Sequence, residues 1–493
     1  MDYSHLKSGT DVRGTALDVL GQAVTLDPAA AAAIARAFFY YMSNKKRVKT
    51  VAVGHDPRLS SLPLKEAVAA ALVKSGACVL DMGLCSTPAA FMMTKFPETG
   101  ADLAVMITAS HHPKDKNGLK FFDKNGGLSA QDIEHILTLA SFDAGKDEGG
   151  GVVKTGAFFP LYTAHLRGMI QAALGGDMPL SGLKLAVDAG NGAGGFYARE
   201  VLAPLGADVS GSIYLEPDGN FPNHAPNPEN KDAMRAISDC VLKNKADLGI
   251  IFDTDVDRAA VVGATGREVN RDALIALTAK IVLRDSPGAT VVTDSVTSLE
   301  LADFIKGAGG VHYRYKRGYK NVIDEAIRLN EAGTDAPLAI ETSGHAALRE
   351  NYFLDDGAYL VTRILIEVAR LKAQGSDILS LIRELKEPAE AAEIRLTITA
   401  EDWKSLGAAA VAGLTKRKIK GIRLAADSRE GVRLLIPALA GFIMLRQSVH
   451  DPVLVINAQC AKAGGVKRAA ALLSRYLRAF SGIDLTPLSD FIS

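Results

Sequence analysis

The chain has 493 residues, which is too long for one hydrophobic core and predicts about three or four domains. Apolar residues make up 48% and charged residues 23% of the chain, a globular mixture that excludes a largely disordered or fibrous protein. Lys plus Arg and Asp plus Glu number 56 each, so no net basic field exists to attract nucleic acid or an anionic membrane.

The cysteine pattern favours a reducing compartment. No C-x-x-C pair occurs among Cys78, Cys85, Cys240 and Cys460, which argues against a zinc knuckle or a disulfide framework. Arg36 and Pro437 interrupt the longest apolar stretches, well short of the ~20 residues that span a bilayer. Residues 1–30 resemble neither a signal peptide nor an organelle presequence. We expect a cytoplasmic protein without a nucleic-acid or membrane partner. Location in an organelle, after removal of a targeting peptide, is the alternative that the sequence does not exclude.

A pattern of strand, helix and returning strand occurs three times. In each copy an apolar run ends in a turn, a helical stretch follows, and a Gly-Ala or Gly-Gly pair leads into another apolar run. The first runs are 49–53, 183–187 and 289–292, and the helical stretches are 62–74, 196–204 and 298–306. Because parallel strands need a crossover connection, the pattern predicts three related α/β domains.

The pattern changes after Pro388. Short apolar runs are found at 394–398, 422–425, 432–436, 441–445 and 453–456, before a helical stretch at 465–479. These runs predict a smaller C-terminal α+β domain with an antiparallel sheet. The predicted domains are 1–150, 151–270, 271–388 and 389–493.

Three acidic residues, Asp253, Asp255 and Asp257, alternate directly after the apolar run 248–252. In an extended chain such residues point to one face, where three carboxylates repel one another unless a cation neutralises them. All-oxygen ligation favours Mg²⁺ or Ca²⁺. A calcium EF-hand needs Gly and Glu where this chain has Arg258 and Ala264. The pattern therefore favours Mg²⁺ over both Ca²⁺ and a solvated acidic turn.

Ser110 lies in T-A-S-H-H-P at 108–113, directly after the strand-like run 103–107. Ligands gather at the carboxyl ends of strands in open α/β sheets, although a lone serine there is usually a helix cap or turn residue. Downstream, the sequence predicts a glycine-containing turn at 117–122 that brings back the cation Lys120. A site that handles phosphate needs such a cation.

Two later segments carry groups suited to a phosphorylated sugar. E-T-S-G-H at 341–345 follows the apolar run 338–340 and offers an acceptor, a hydroxyl and an imidazole for sugar hydroxyls. Arg446 and Ser448 lie between two apolar runs, and this combination can hold a phosphate. Each segment alone is equally typical of a surface loop.

A glycine motif supports a rival interpretation. Gly190, Gly192 and Gly195 satisfy G-x-G-x-x-G between a strand and a helix, and Glu216 follows about twenty residues later, as in a dinucleotide fold. A nucleotide-dependent dehydrogenase is therefore one alternative. It gives no role to the three aspartates or to the Ser110 segment, so phosphate transfer is favoured.

In their order along nearly the whole chain, these segments resemble the loops of the α-D-phosphohexomutase family, which includes phosphomannomutases, phosphoglucomutases and phosphoglucosamine mutases. S-G-T-D-V-R-G at 8–14 resembles the opening G-T-D-x-R-G element, and T-A-S-H-H-P resembles the phosphoserine loop. D-T-D-V-D-R at 253–258 resembles the metal loop. E-T-S-G-H resembles the sugar loop, and K-R-G-Y-K at 316–320 resembles another family loop. The segment 446–452 resembles the phosphate loop R-P-S-G-T-E-P.

The resemblance implies α/β domains with mixed sheets and a smaller C-terminal α+β domain around a central cleft. It implies an intramolecular phosphotransferase that interconverts hexose 1-phosphate and hexose 6-phosphate through a phosphoserine at Ser110. A hexose 1,6-bisphosphate is implied as intermediate and activator, and the phosphoserine completes the Mg²⁺ shell of the three aspartates. Implied neighbours of the transferring phosphoryl group are Arg13, Lys120 and Arg258, and the catalytic base is either Lys120 or His111. Implied substrate-binding residues are Arg258, Tyr319, Lys320, Glu341, Ser343, His345, Arg446, Ser448 and His450.

The chain departs from the family pattern in three loops. The phosphate loop has Val449 and His450 in place of Gly-Thr, the sugar loop begins with Ile340 instead of Gly, and the metal loop has Thr254 where Gly is common. The change in the phosphate loop leaves a catalytically silent phosphosugar-binding homologue as a second alternative. The E-x-S-G-H form favours mannose and glucose phosphates over glucosamine phosphate. For the oligomeric state, the sequence does not distinguish a monomer from a dimer.

Overall fold

The computed structural model describes residues 1–493 except Leu20, Lys146, Glu148, Lys418, Val449 and His450. The chain divides into two compact units. The first unit comprises Met1–Asn270 and Ser343–Ser380, and the second comprises Arg271–Thr342 and Leu381–Ser493. Within the described part of the chain, no helix combines the length and the apolar character needed to cross a bilayer.

The regular elements follow one another along the whole chain. The strands are β1 (Lys7–Ser8), β2 (Asp11–Thr15), β3 (Thr50–His55), β4 (Cys78–Leu84), β5 (Leu103–Ile107), β6 (Lys116–Asp123), β7 (Gly126–Gly127), β8 (Val152–Thr155), β9 (Leu185–Asp188), β10 (Leu248–Phe252), β11 (Ala259–Gly263), β12 (Glu268–Val269), β13 (Thr290–Thr293), β14 (Val311–Arg314), β15 (Leu338–Ile340), β16 (Ala346–Leu348), β17 (Leu354–Asp355), β18 (Glu390–Thr397), β19 (Arg423–Leu424), β20 (Val432–Ile436), β21 (Gly441–Gln447) and β22 (Val453–Cys460). The α-helices are α1 (Pro28–Lys45), α2 (Ser61–Lys74), α3 (Thr87–Met92), α4 (Ala130–Ser141), α5 (Phe159–Leu174), α6 (Lys231–Asn244), α7 (Asp272–Asp285), α8 (Leu299–Gly307), α9 (Tyr319–Glu331), α10 (Gly357–Ala373), α11 (Trp403–Thr415), α12 (Gly465–Leu477) and α13 (Thr486–Ile492).

The first unit contains an eight-stranded mixed sheet in the order β1-β2-β6-β5-β3-β4-β8, with β7 beside β6. Strands β5, β3, β4 and β8 run parallel, whereas β6 is antiparallel to both β5 and β2. Every residue of β5 is buried, as expected of a strand covered on both faces. The segment that carries Ser110 therefore leaves the carboxyl end of a central, rigid strand.

A second sheet of the first unit has the order β12-β11-β10-β9. Strand β10 is parallel to β9 and antiparallel to β11, with Phe252 opposite Ala259. The three aspartates lie in the short connection between these two paired residues. Both strands are wholly buried, so their pairing fixes the two ends of that connection.

The first unit also contains the hairpin of β16 and β17 and the following helix α10. Asp356 caps α10, since its side chain accepts a hydrogen bond from the amide of Tyr359 at 2.8 Å. The hydroxyl of Tyr162 donates to the same carboxylate at 2.7 Å. These contacts hold the turn that presents Asp355.

The second unit contains three parallel strands in the order β14-β13-β15, with α7, α8 and α9 in the same segment. Its C-terminal part is an antiparallel sheet in the order β18-β22-β21-β20-β19. Helices α11 and α12 pack on this sheet through a core that includes Ala410, Leu414 and Leu473.

The predicted fold class is confirmed: mixed α/β sheets precede a C-terminal sheet-and-helix domain. The first and third predicted repeats form parallel β-α-β units. The second repeat differs, because the stretch at 196–204 is a π-helix at Tyr197–Leu202. Its returning run makes only isolated bridges, such as Asp188 with Ile213. The boundaries of the four predicted domains remain a prediction.

Gly195 permits a close approach in the first unit, since a Cβ there would lie 2.1 Å from the carbonyl oxygen of Leu215. We predict that Gly195→Ala lowers the free energy of unfolding by about 2–3 kcal/mol, because backbone atoms must move to admit the methyl group. The matched control is Gly168→Ala in α5, where a Cβ meets nothing within 4 Å. This control gains up to ~1 kcal/mol through helix propensity. Denaturant unfolding measures both changes, and equal effects would contradict the packing argument.

Candidate active site

The three aspartates after β10 form a compact acidic cluster. Asp253, Asp255 and Asp257 each offer a carboxylate oxygen within 4.8 Å of the others, and the three residues are at most 1% exposed. The predicted grouping is present, but the predicted extended backbone is wrong. The connection is a turn in which Val256 has φ of 67°. The three carboxylates are therefore brought together by this turn and not by alternation of side chains along a strand.

Two cations from different parts of the first unit offset this charge. The Nζ atom of Lys120, on β6, lies 3.0 Å from Asp255 Oδ2 and 2.5 Å from Asp257 Oδ2. Arg258 Nε lies 3.8 Å from Asp253 Oδ2. In addition, the hydroxyl of Thr87 donates to Asp255 Oδ2 at 2.5 Å. The cluster is therefore only partly neutralised by the protein itself.

The pKa values of the acidic groups show how crowded the cluster is. Burial raises the pKa of Asp253 well above its usual range, and the negative charges of Asp257 and Asp255 add to this effect. Burial also acts to raise the pKa of Asp257, but the attraction of Lys120 and Arg258 outweighs it and lowers that pKa. Burial, with repulsion from Asp257, raises the pKa of Asp355 to about 8.

The cluster fits a hard divalent cation. The Oδ1 atoms of Asp255 and Asp257 are buried and have no hydrogen-bond partner among the described residues, so each is available to a ligand. The donor set consists of carboxylate oxygens, which suit Mg²⁺, Ca²⁺ or Mn²⁺. A neighbouring group of Asp257, His345 and Asp355 is equally compact, but His345 Nε2 already accepts from Arg258 Nε at 3.1 Å. The three aspartates are thus the candidate metal ligands.

Ser110 lies directly over this cluster. Its hydroxyl donates a hydrogen bond to Asp253 Oδ2 at 2.9 Å, and the residue is 1% exposed. Its φ of 51° lies in the left-handed region, which an L-residue with a side chain rarely adopts. Because positive φ in such residues often accompanies function, both the position and the backbone of Ser110 mark it as a candidate nucleophile.

The other residues predicted around the phosphoryl group lie in the same unit. His111 Nδ1 accepts from Arg258 NH2 at 2.7 Å, and burial together with the Arg258 charge lowers the pKa of His111 to about 2. Arg13, on β2, pairs with Asp11 at 2.8 Å, and its charge contributes to the lowered pKa of the His111 and His112 imidazoles.

The segment that carries Lys120 is not the predicted turn. It is the strand β6, in which Gly118 is opposite Arg13 of β2. A Cβ at Gly118 would lie 2.4 Å from the carbonyl oxygen of Val12. The glycine is needed for close strand packing, and sequence alone does not separate that role from a turn.

The predicted sugar-binding residues divide between the two units. In the first unit, Ser343 Oγ lies 2.9 Å from His345 Nδ1. In the second unit, Glu341 Oε1 accepts from the amide of Gly318 at 2.7 Å, which joins the 341–345 loop to the loop that leads into α9. Tyr319 begins α9, and Lys320 Nζ pairs with Asp324 at 2.6 Å along that helix.

The predicted phosphate loop follows β21 in the second unit. Arg446 is near the end of this strand, where its NH1 lies 3.8 Å from Glu430 Oε1. Ser448 Oγ accepts from the amide of Asp451 at 3.2 Å. Val449 and His450 lie outside the described residues, so the predicted role of His450 stays a prediction.

The site also contains residues that the sequence interpretation missed. Thr87 and Asp355 contact or face the acidic cluster, and the buried pair Asp56 and Arg58 lies under the Ser110 segment. Thr87 follows β4, and Asp56 and Arg58 follow β3. The tendency of ligands to gather at the carboxyl ends of parallel strands could therefore have identified these three. Asp355 has no such local signal.

The glycine motif that suggested a dinucleotide fold has a packing role instead. A Cβ at Gly192 would lie 2.8 Å from the carbonyl oxygen of Thr254, and the amide of Ala193 donates to that oxygen at 2.8 Å. The motif therefore supports the turn of the three aspartates. Its small residues are explained without a nucleotide.

Comparisons with known proteins agree with this architecture. Residues 8–144, 161–266 and 270–385 match the models of phosphoglucomutase/phosphomannomutase alpha/beta/alpha domains I, II and III. A phosphoglucomutase of Neisseria gonorrhoeae is 30% identical over 465 residues, which is 93% of each chain. A phosphomannomutase/phosphoglucomutase of Pseudomonas aeruginosa is 31% identical over 432 residues, or 87% of each.

A solved structure of a phosphoglucomutase/phosphomannomutase family protein from Burkholderia thailandensis is also similar. It superposes with a TM-score of 0.80 at 28% identity and covers 97% of this chain and 98% of its own. On α/β domains of this kind, the structure places a buried acidic cluster beside Ser110. The chain belongs to the phosphoglucomutase/phosphomannomutase family and is an intramolecular phosphotransferase, an isomerase. The comparisons support neither the silent homologue nor the dehydrogenase.

We predict that Lys120→Met lowers the free energy of unfolding in metal-free buffer by about 3–5 kcal/mol, because two buried carboxylates lose their cation. The matched control is Lys320→Met, which removes the helix-surface pair with Asp324 and costs only ~0.5 kcal/mol. Denaturant unfolding with a chelator present measures both. Losses of the same size would show that Lys120 does not offset the acidic cluster.

Asp355 makes stability depend on pH. Its pKa is about 8 in the folded protein and ~3.9 in an unfolded chain, so between these values the folded state binds more protons. The free energy of unfolding therefore falls as pH rises from about 4 to 8. We predict that Asp355→Asn flattens this fall and that the two proteins converge in stability below about pH 4. Chemical unfolding across this range, with a chelator, tests it, and parallel curves would refute the assignment.

Proposed function

We propose that this enzyme interconverts hexose 1-phosphate and hexose 6-phosphate through a phosphoserine at Ser110 and a hexose 1,6-bisphosphate intermediate. One observation carries the proposal: the Ser110 hydroxyl lies 2.9 Å from Asp253 Oδ2, in a buried cluster of three aspartates. A nucleophile beside a site for a divalent cation is the arrangement that phosphoryl transfer requires.

The proposed substrates are mannose and glucose phosphates. The Neisseria and Pseudomonas relatives support this choice, since they are a phosphoglucomutase and a phosphomannomutase/phosphoglucomutase. The E-T-S-G-H sequence at 341–345 supports it as well. The bisphosphate that forms as intermediate would also act as activator, because it can phosphorylate an enzyme that has lost its phosphate.

In the proposed reaction, the P–O bond to Ser110 Oγ breaks and a P–O bond to the free sugar hydroxyl forms. The proton of that hydroxyl goes to the serine oxygen, and the product is the bisphosphate. In the second half, the other phosphoryl group returns to Ser110 Oγ and the serine proton goes to the sugar oxygen. The sum is an isomerisation with no net gain or loss of phosphate.

Lys120 is the better of the two predicted proton-transfer groups. The other candidate, His111, is a weak base because its pKa is about 2 and its Nδ1 already accepts from Arg258. Lys120 Nζ is a donor held against Asp255 and Asp257. We assign to its ammonium group the donation of a proton to Ser110 Oγ as the P–O bond breaks. The sugar hydroxyl proton replaces the donated proton on Nζ, so the positive charge that faces the phosphoryl group is restored.

Mg²⁺ is the proposed cation, with Asp253, Asp255 and Asp257 as the residues that would hold it. When bound, it would offset the negative charge of the transferring phosphoryl group. The same proposal assigns charge stabilisation to Arg13. It assigns substrate binding to Arg258, Tyr319, Lys320, Glu341, Ser343, His345, Arg446, Ser448 and His450.

We predict that Ser110→Ala lowers kcat for hexose phosphate interconversion by about 10³-fold or more, because the phosphoryl group loses its acceptor on the protein. Intact mass of the freshly purified wild type should show one phosphate that the variant lacks. The matched control is Ser238→Ala, since Ser238 Oγ is buried without a hydrogen-bond partner among the described residues. That control should keep full activity. Normal turnover by Ser110→Ala would end the proposal.

A further inference from the structure

We propose that Arg58, together with Asp56, is a positioning residue that sets the backbone of Ser110 and so aims its hydroxyl at the acidic cluster. This inference rests on the proposed role of Ser110. Arg58 follows β3 and is 2% exposed, and its side chain forms an ion pair with Asp56 at 3.0 Å. Among the described residues, neither forms a hydrogen bond or ion pair with the three aspartates.

Arg58 holds the chain from Ser110 to Lys116 by its carbonyl groups. Its NH2 donates to the carbonyl oxygens of Ser110 and, at 2.7 Å, His112. Its NH1 donates to the carbonyl oxygens of Pro113 at 2.6 Å and Lys116 at 3.1 Å. With Nε bonded to Asp56 Oδ2 at 3.0 Å, the guanidinium uses all the donors that it has.

Asp56 holds the same segment from the other side. Its Oδ2 accepts from the hydroxyl of Thr108 at 2.7 Å, and Thr108 Oγ1 in turn accepts from the amide of Ser110 at 2.9 Å. Asp56 Oδ1 accepts from the hydroxyl of Ser61 at 2.6 Å and from the amide of Arg58 at 3.0 Å. The amide and the carbonyl of Ser110 are thus both fixed through one buried ion pair.

This arrangement explains how Ser110 keeps its φ of 51°. A residue with a side chain loses about 1–2 kcal/mol in the left-handed region, and such a conformation persists only where its surroundings fix it. Without the hydrogen bonds to its peptide groups, Ser110 would relax towards negative φ. Its hydroxyl would then leave the position 2.9 Å from Asp253.

Lysine cannot replace Arg58 in this role. A planar guanidinium directs five N–H groups in fixed directions, whereas an ammonium has three donors on a flexible stem. Four carbonyl oxygens of one loop cannot be satisfied by a lysine that also pairs with Asp56. Arg58→Lys therefore keeps the charge and removes the geometry.

The first test compares Arg58→Lys with Arg433→Lys. Arg433 is also 2% exposed and donates to the carbonyl oxygens of Ser295 and Thr297 at 2.7 and 2.9 Å, so its replacement removes a similar buried arginine. For Arg58→Lys we expect kcat to fall about 10²-fold, because misplacement by ~1 Å has that effect, with KM within about two-fold of wild type. For Arg433→Lys we expect an unchanged kcat with some loss of stability.

A second pair covers the case in which Arg58→Lys fails to fold. Thr108→Val keeps the shape of the side chain but removes the link from Asp56 to the Ser110 amide. Its control is Thr278→Val in α7, which removes a hydrogen bond to the carbonyl oxygen of Leu274 at 2.8 Å. Phosphoryl transfer from glucose 1,6-bisphosphate to unphosphorylated enzyme should slow in Thr108→Val about 10-fold or more and stay unchanged in Thr278→Val.

Two outcomes overturn different claims. If wild-type protein carries no phosphate on Ser110, or does not interconvert hexose phosphates, the proposed function fails whatever the variants do. If wild type is active, the positioning role is wrong when a folded Arg58→Lys keeps the kcat of Arg433→Lys, or when Thr108→Val is phosphorylated as fast as Thr278→Val, while the proposed function stands.

Discussion

Three carboxylates confined within 4.8 Å of one another in the protein interior are the constraint on which the site depends. Like charges this close disfavour simultaneous ionisation, and burial raises the pKa of Asp253 further. Lys120 and Arg258 offset part of the charge, while the Oδ1 atoms of Asp255 and Asp257 keep no hydrogen-bond partner among the described residues. The acidic cluster therefore fits a divalent cation, which is the role that we propose for it.

The rest of the first unit holds this strained centre in place. Buried strands β10 and β11 fix both ends of the acidic turn, and the glycines near Gly192 allow a second loop to pack on Thr254. On the opposite side, central strand β5 leads into the Ser110 segment, whose peptide groups bond to Arg58 and Thr108. Strands that carry short, hydrogen-bonded loops can keep a serine hydroxyl and an acidic cluster at a fixed separation.

Sequence reasoning identified the acidic cluster and Ser110 because each follows a strongly apolar run, and strand ends meet at one edge of a sheet. It identified Lys120 as a cation near a glycine, on a segment that it took for a turn. It also predicted three parallel repeats, of which the first and the third form, and the C-terminal antiparallel sheet. It did not find the turn at Val256 or the strand at Gly118. A glycine, or polar residues at alternate positions, are compatible with several backbone conformations. Thr87 was missed although it follows the end of β4. Asp355 was missed because its place in the site depends on Asp257, which is distant in sequence.

The central claim is that the three aspartates bind a divalent cation directly beside the Ser110 hydroxyl. The most direct measurement is an anomalous difference map from a crystal of the wild-type protein grown with Mn²⁺ as a substitute for Mg²⁺. The account predicts one strong peak at about 2.0–2.3 Å from oxygens of all three aspartates, the distance expected for such ions. A peak at another site, or a cluster without one at saturating Mn²⁺, would contradict it.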